Sequence, residues 1–228
     1  MMIISHLHPF AAANTLPLHF SLSEALQAVS EVIFMSNTRK QQTKTLVLGA
    51  VFTALVFVLQ YLSMFMRFSA FSVTFVLLPI IVGAATCGYK MGAWLGFIFG
   101  VAVLATGDAA PFLAVDFFGT IVTVLLKGTL CGLAAGLTYK ALEKRNQYLA
   151  VMAAAIVSPI VNTGVFLIGC RVFFFETIKA WGAAAGFNNA AAYMFIGLAG
   201  INFLVELGTN LILSPAAVRV LKLAKVNN

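Results

Sequence analysis

The sequence predicts an all-α integral membrane protein with six transmembrane helices in one bundle. Of its 228 residues, 61% are hydrophobic and only 9% are charged, which is too apolar for a soluble domain. The apolar runs are continuous and approach the ~20 residues of a membrane-spanning helix, whereas a membrane barrel would show alternating segments of ~10 residues. The net charge of +7 comes from basic residues that flank these runs, which favours membrane orientation over nucleic-acid binding.

Proline, glycine and charged residues separate the apolar runs and place the span boundaries. Pro79 falls inside the second run and predicts a kink there. The longest connection, 171–190, has room for a short helix. The predicted spans are about 44–66, 73–87, from the 87–92 turn to 106, 118–139, 148–170 and 191–214.

Charge asymmetry predicts the orientation of the bundle. With six spans both termini lie on one side, and that side carries ten of the fourteen Lys and Arg residues. The opposite side carries three, and Lys127 lies inside the fourth span. Because cytoplasmic loops are enriched in Lys and Arg, we expect both termini in the cytoplasm.

Residues 1–34 differ from the rest of the chain. They hold all three histidines and no Lys or Arg, and they lack the basic and compact apolar regions of a secretory signal. Met35 opens a short basic leader of the kind that precedes a first span. We therefore predict that 1–34 is an N-terminal extension outside the fold, that Met35 is the natural start, and that 35–228 is the membrane domain. The alternative is that SLSE at 21–24 caps a short amphipathic helix.

Small residues recur at one-turn spacing in two of the spans. Ala50 and Ala54 stand in the first span, and Gly92, Gly96 and Gly100 in the third. This spacing lines small residues along one helix face and lets a second backbone approach. We expect the glycines to pack within the bundle. For the alanines, internal packing and docking of another membrane subunit both stay open.

Polar residues inside spans four to six are candidate binding groups, because each is costly in lipid. Lys127 lies roughly 14 Å below the outer end of its span, Asn162 lies at a similar depth, and Asn202 lies roughly 16 Å deep. Glu206 is one turn below Asn202 on the same helix face. Three helices are therefore predicted to present Lys127, Asn162 and Asn202 to one layer.

Three interpretations of Lys127 stay open. It forms a structural ion pair with Glu206, it meets an anionic group of a substrate while the amides bind substrate hydroxyls, or its side chain extends toward an interface. The first two are compatible, because an ion pair in the empty protein can be shared with a carboxylate.

The outer connections contribute further candidates. Phe68, Phe71 and Trp181 either anchor the membrane interface, where aromatic residues are enriched, or cover a mostly apolar pocket. Asp116, at the mouth of the fourth span, either caps that helix or contacts a ligand.

Enzymatic chemistry is not predicted. The chain has no G-x-x-x-x-G-K-[ST] P-loop, so ATP hydrolysis would belong to a partner. The histidines precede Met35, and the Gly-Asp pair at 107–108 lies in a loop, unlike the sites of intramembrane proteases. Cys87, Cys131 and Cys170 lack C-x-x-C spacing and predict packing residues, with no metal site, disulfide or cofactor.

Several of these motifs coincide with those of one family. They are the A-x-x-x-A of the first span, a turn with Gly88, Lys90 and Gly92, and Lys127 followed by Gly128, Gly132 and Gly136. With six spans in the region after Met35, the chain resembles the substrate-binding S component of energy-coupling-factor (ECF) vitamin transporters. The resemblance covers nearly everything from Lys44 to the C-terminus.

The resemblance implies a subunit that captures a vitamin or related micronutrient at the outer face of a prokaryotic plasma membrane. It also implies association with a transmembrane scaffold subunit, which Ala50 and Ala54 would face, and with two ATPase subunits. A substrate carboxylate at Lys127 favours pantothenate, with riboflavin, folate and biotin as alternatives. The alternative to a partner-dependent subunit is a self-sufficient small-solute carrier.

Overall fold

The computed structural model describes residues 22–68, 71–72 and 75–226, and nearly all of them are helical. The only strands in these residues are two pairs of residues that form a short antiparallel ladder. The elements in chain order are α1 (Leu22–Ser63), a 3-10 turn (Met64–Met66), β1 (Arg67–Phe68), β2 (Phe71–Ser72), α2 (Leu77–Cys87), α3 (Tyr89–Ala105), α4 (Ala110–Leu113), α5 (Phe117–Leu142), α6 (Gln147–Phe173), α7 (Phe175–Ala184), α8 (Ala190–Ala192), a π-helical segment (Tyr193–Leu198) and α9 (Gly200–Val226).

The chain divides into two compact units, Met1–Lys44 and Thr45–Asn228. The described part of the first unit is 22–44, all of it within α1. A short helix opening at 21–24 was the alternative expectation for this region, and the structure has a helix there as part of the longer α1. The extension boundary after residue 34 stays a prediction, and the three histidines lie outside the described residues.

The six predicted apolar segments all correspond to helices, but these differ in length. Four stretches are long and apolar enough to cross a membrane, and α2 and α3 are apolar helices of 11 and 17 residues. At ~1.5 Å per residue, α2 is roughly 16 Å long, about half of the ~30 Å hydrocarbon core. Six crossings and cytoplasmic termini therefore stay predictions. The four long stretches are Arg39–Ser63, Phe117–Leu142, Gln147–Phe173 and Ala190–Lys222.

The predicted kink at Pro79 is wrong. Pro79 is the third residue of α2, which begins at Leu77. N–H groups in the first turn of a helix have no partner within the helix, so a proline there removes no hydrogen bond.

The helix of the sixth predicted span continues beyond residue 214, because α9 runs through Pro215 to Val226. Pro215 offers no N–H to the carbonyl of Leu211, four residues earlier. The hydroxyl of Ser214 lies 2.8 Å from that carbonyl and 2.9 Å from the carbonyl of Asn210, so it offers a donor to these backbone groups. Local replacement of this kind lets transmembrane helices tolerate proline.

Helices α3 and α5 pack with their backbones in contact, as expected for the glycine repeat. A side chain at Gly96 would collide with the carbonyl of Gly128, and one at Gly132 would collide with the carbonyl of Gly92. Since the higher-numbered glycine of α3 faces the lower-numbered one of α5, the two helices run antiparallel. The end of α3 therefore lies beside the start of α5.

Helix α2 lies at the centre of the second unit. It contacts α3, α5, α6 and α9, and seven of its eleven residues are buried. Its apolar side chains belong to two core clusters, one with α1, α3 and α5 and the other with α5, α6 and α9. A third cluster joins α6, α7 and α8. This packing fixes the helices around the cavity described next.

Candidate ligand-binding site

A cavity of about 340 Å³ lies within the second unit, between α1, α3, α4, α5, α6 and α9. The π-helical segment also contributes, through Gly197 and Leu198. Such segments are rare in helices and frequent at functional sites. The volume falls at the lower end of small-molecule pockets, roughly 300–1,000 Å³.

Four of the five polar residues that the sequence placed inside spans four to six line this cavity, and the fifth, Asn210, does not. Lys127 comes from α5, Asn162 from α6, and Asn202 and Glu206 from α9. The helices α5, α6 and α9 present these residues at similar depths, because each residue adds the same rise along a helix. Asn202 and Glu206 share a helix face because they are four residues apart.

Asn162 and Glu206 form a direct contact in this group. The Asn162 side-chain nitrogen Nδ2 donates a hydrogen bond to Glu206 Oε2 at 3.3 Å. Asn162 and Glu206 are both buried, with 5% and 9% of their surface exposed. The bond links α6 to α9 and gives a buried carboxylate the donor it needs.

Lys127 has aromatic neighbours instead of a direct carboxylate contact. Its Nζ atom lies 5.4 Å from the ring centre of Phe166 and 5.8 Å from that of Phe99. A cation over aromatic faces is stabilised by the ring quadrupoles. Among the described residues no direct ion pair joins Lys127 to Glu206, although the same cavity holds both.

A second polar group lies at the other end of the cavity. Gln60 of α1 donates from Nε2 to Asp108 and, at 3.4 Å, to Thr106. Gln60 and Asp108 both line the cavity, as does Thr120 in the first turn of α5. Because Lys127 is seven residues further along α5, the two polar ends are separated by roughly 10 Å.

Three buried polar atoms of the lining have no hydrogen-bond partner among the described residues. They are Gln60 Oε1, Thr123 Oγ1 and Asn162 Oδ1. An unsatisfied buried polar group costs about 1–3 kcal/mol. These atoms have almost no accessible surface, so a ligand would satisfy them only after the three lining side chains turn toward the cavity.

A family model described as ECF transporter, substrate-specific component, matches residues 44–218. The chain belongs to this family. A search of curated proteins and a search of solved structures found no match. Family membership makes the chain a substrate-binding membrane subunit, not an enzyme, that works with the scaffold and ATPase subunits of an ECF module.

Aromatic side chains cover one side of the cavity in this S component. Phe112 of α4 makes edge-to-face contacts with Phe166, Phe174 and Trp181, with ring centres 5.5, 5.2 and 5.5 Å apart. Phe112, Phe166 and Phe174 line the cavity, whereas Trp181 packs behind Phe112.

The remaining predicted site residues of the S component have other positions. Asp116 caps α5, since its Oδ1 accepts from the Gly119 N–H at 2.9 Å, and it does not line the cavity. The backbones of Phe68 and Phe71 pair in the short ladder, and their side chains lie outside the described residues.

Ala50 and Ala54 lie on an exposed face of α1. Their neighbours on this face, Val47, Val51 and Val58, are 54%, 58% and 54% exposed. Neither alanine lines the cavity, so the ligand site and this face of the S component use different surfaces.

Sequence reasoning missed Gln60, Asp108 and Thr123. Gln60 had a signal, because an amide inside an apolar span is as costly as those in spans four to six. Thr123 had one too, since it precedes Lys127 by one helical turn and shares its face. Asp108 sits in a loop, and its place at the cavity depends on the packing of α3 against α5.

Among the described residues, no group of three or more His, Cys, Asp or Glu side chains could hold a metal ion.

Proposed function

We propose that this cavity captures a vitamin or related micronutrient, with pantothenate favoured, at the outer face of a prokaryotic plasma membrane. The observation that carries the proposal is Lys127, a cation within a span that has aromatic neighbours and no direct ion pair among the described residues. The half-buried Lys127 makes no direct ion pair with Glu206, and a substrate carboxylate would give it a contacting counter-charge.

The remaining polar groups favour a ligand with both donors and acceptors. Asp108 and Glu206 offer carboxylate oxygens, and Gln60, Thr123 and Asn162 offer oxygen atoms without partners. Pantothenate carries a carboxylate at one end, an amide in the middle and hydroxyls at the other end. We propose that its carboxylate meets Lys127 and that its hydroxyls lie toward Gln60 and Asp108.

Size separates the alternatives. A cavity of about 340 Å³ favours compact ligands such as pantothenate or biotin. Folate, with a pterin, an aryl ring and a glutamate, is much larger. Riboflavin offers many hydroxyls but no carboxylate for Lys127.

We further propose that the Ala50 and Ala54 face docks the scaffold subunit. Its small side chains let a scaffold helix approach closely, and its position away from the cavity allows docking with ligand bound. Six crossings with both termini in the cytoplasm would place the start of α5 and the cavity toward the outside.

Native mass spectrometry of the gently purified full chain tests the ligand directly. We expect a bound mass equal to that of pantothenate. Calorimetric titration with pantothenate, biotin, riboflavin and folate then ranks the affinities. Tight binding of riboflavin without binding of any carboxylate-bearing vitamin would contradict the role proposed for Lys127.

A further inference from the structure

A groove that is separate from the cavity opens on the outside of the second unit. It runs between the C-terminal half of α6 and the region from α8 to the π-helical segment. Its floor includes Gly164, where an added side chain would meet no atom within 4 Å. Ile168 and Phe195, at its edges, are both 64% exposed, so the groove faces the surroundings of the bundle.

One end of the groove carries a single cation. Arg171 stands in the last turn of α6, and its guanidinium carbon lies 4.0 Å above the ring centre of Phe175. Both residues line the groove. Stacking on an aromatic ring holds the guanidinium plane and leaves its N–H groups free to form paired hydrogen bonds to a phosphate.

The groups around Arg171 leave it available. Among the described residues no ion pair joins Arg171 to Glu176, the acidic side chain in the first turn of α7. Helix α7 has no side-chain cap at its N-terminus, so its first N–H groups add donors beside Phe175. A positive helix terminus favours a nearby anion.

The positions of Arg171 and Gly164 along α6 match the polar surface and the apolar interior of a membrane. Arg171 lies two residues before the end of the apolar stretch Gln147–Phe173, and the end of a spanning helix is where we expect the headgroup region. Gly164 is seven residues earlier, or roughly 10 Å deeper. A charged end and an apolar length of this kind match a lipid with an anionic headgroup and an acyl chain.

We propose that this groove is a binding site for an anionic phospholipid. The phosphate contacts Arg171, and an acyl chain lies against Gly164, between Ile168 and Phe195. An arginine guanidinium pairs with a phosphate through two parallel hydrogen bonds, and this geometry does not depend on the leaflet that the lipid occupies. A scaffold helix without an acidic side chain would leave Arg171 without a counter-charge, whereas an anionic phospholipid supplies both a charge and an apolar chain.

Native mass spectrometry of the full chain tests headgroup recognition. The probes are phosphatidylglycerol and phosphatidylcholine with identical acyl chains. We expect phosphatidylglycerol to bind more tightly, and Arg171→Gln to weaken it by about fivefold. Lys179→Gln removes another exposed base, which does not line the groove, and is the matched control. Equal binding of both lipids, unaffected by Arg171→Gln, would overturn the headgroup site.

A second variant tests the acyl chain. Gly164→Leu fills the groove without a clash inside the protein, and Gly208→Leu is its control, because Gly208 also has open space but does not line the groove. A phosphatidylglycerol with a photoreactive acyl chain should label the 164–168 and 194–195 segments, and Gly164→Leu should abolish that labelling. Uniform labelling of the bundle, or labelling that Gly164→Leu does not change, would refute the groove as the chain's site.

Discussion

Asn162 of α6 donates a hydrogen bond to Glu206 of α9 at 3.3 Å. An ion pair between Glu206 and Lys127 was one of the expectations from the sequence, and the structure shows this hydrogen bond instead. The buried carboxylate thus has a neutral partner, while the ammonium group of Lys127 lies near Phe99 and Phe166. This division leaves Lys127 able to meet a charge brought by a ligand. It also separates the roles of the two residues, so that single substitutions can distinguish them.

Lys127→Ala tests the substrate-charge role. If Lys127 holds a carboxylate, binding of pantothenate, or of the vitamin found to copurify, should weaken by more than about tenfold, or ~1.4 kcal/mol. Thermal stability should change little, because the variant removes a half-buried charge that has no direct ion pair. Calorimetry and thermal unfolding in detergent measure the two quantities.

Lys140→Ala is the matched control, since Lys140 lies on the same helix, stacks on Tyr89 at 5.1 Å and does not line the cavity. Unchanged vitamin affinity in Lys127→Ala, together with a lower melting temperature, would instead assign Lys127 a structural role.

Asn162→Ala tests the contact between α6 and α9. The variant leaves the Glu206 carboxylate without its donor and should lower the free energy of unfolding by about 1–3 kcal/mol. A double-mutant cycle with Glu206→Ala should show a coupling of about 0.5–3 kcal/mol. Unfolding by SDS titration provides the energies. The control cycle combines Asn162→Ala with Glu176→Ala, which removes an exposed acid. If the effects of Asn162→Ala and Glu206→Ala are as additive as those of the control pair, the hydrogen bond contributes nothing to stability.

Gly96→Ala tests the close packing of α3 on α5. A methyl group there collides with the backbone carbonyl of Gly128, which cannot rotate away as a side chain can. We expect a loss of about 1–3 kcal/mol in unfolding free energy. Gly208→Ala adds the same methyl group where no atom lies within 4 Å, and it should be neutral or stabilising. Equal melting temperatures for the two variants would contradict the backbone contact.

The parts of the site that follow from helix geometry could be predicted, and those that depend on packing between helices could not. Lys127, Asn162 and Asn202 were predicted in one layer, with Glu206 one turn deeper, because helical rise fixes depth along a span. Gln60 and Asp108 required knowledge of which helices are neighbours, and sequence spacing does not supply that. In the fold, the repeated glycines predicted close packing correctly, whereas Pro79 was misjudged because the start of α2 was placed too early.

Ala50→Trp and Ala54→Trp test the proposed docking face. A tryptophan on this exposed surface should fit in lipid but block the approach of a scaffold helix, because close packing there depends on small side chains. We expect loss of the scaffold and ATPase subunits from a pull-down of the tagged S component, with vitamin affinity unchanged. The control is Ile212→Trp, at a position of α9 that is 78% exposed. Neither alanine lines the cavity, so a variant that lost both the vitamin and the scaffold subunit would indicate misfolding. Full recovery of the complex with the scaffold and ATPase subunits would refute the docking role.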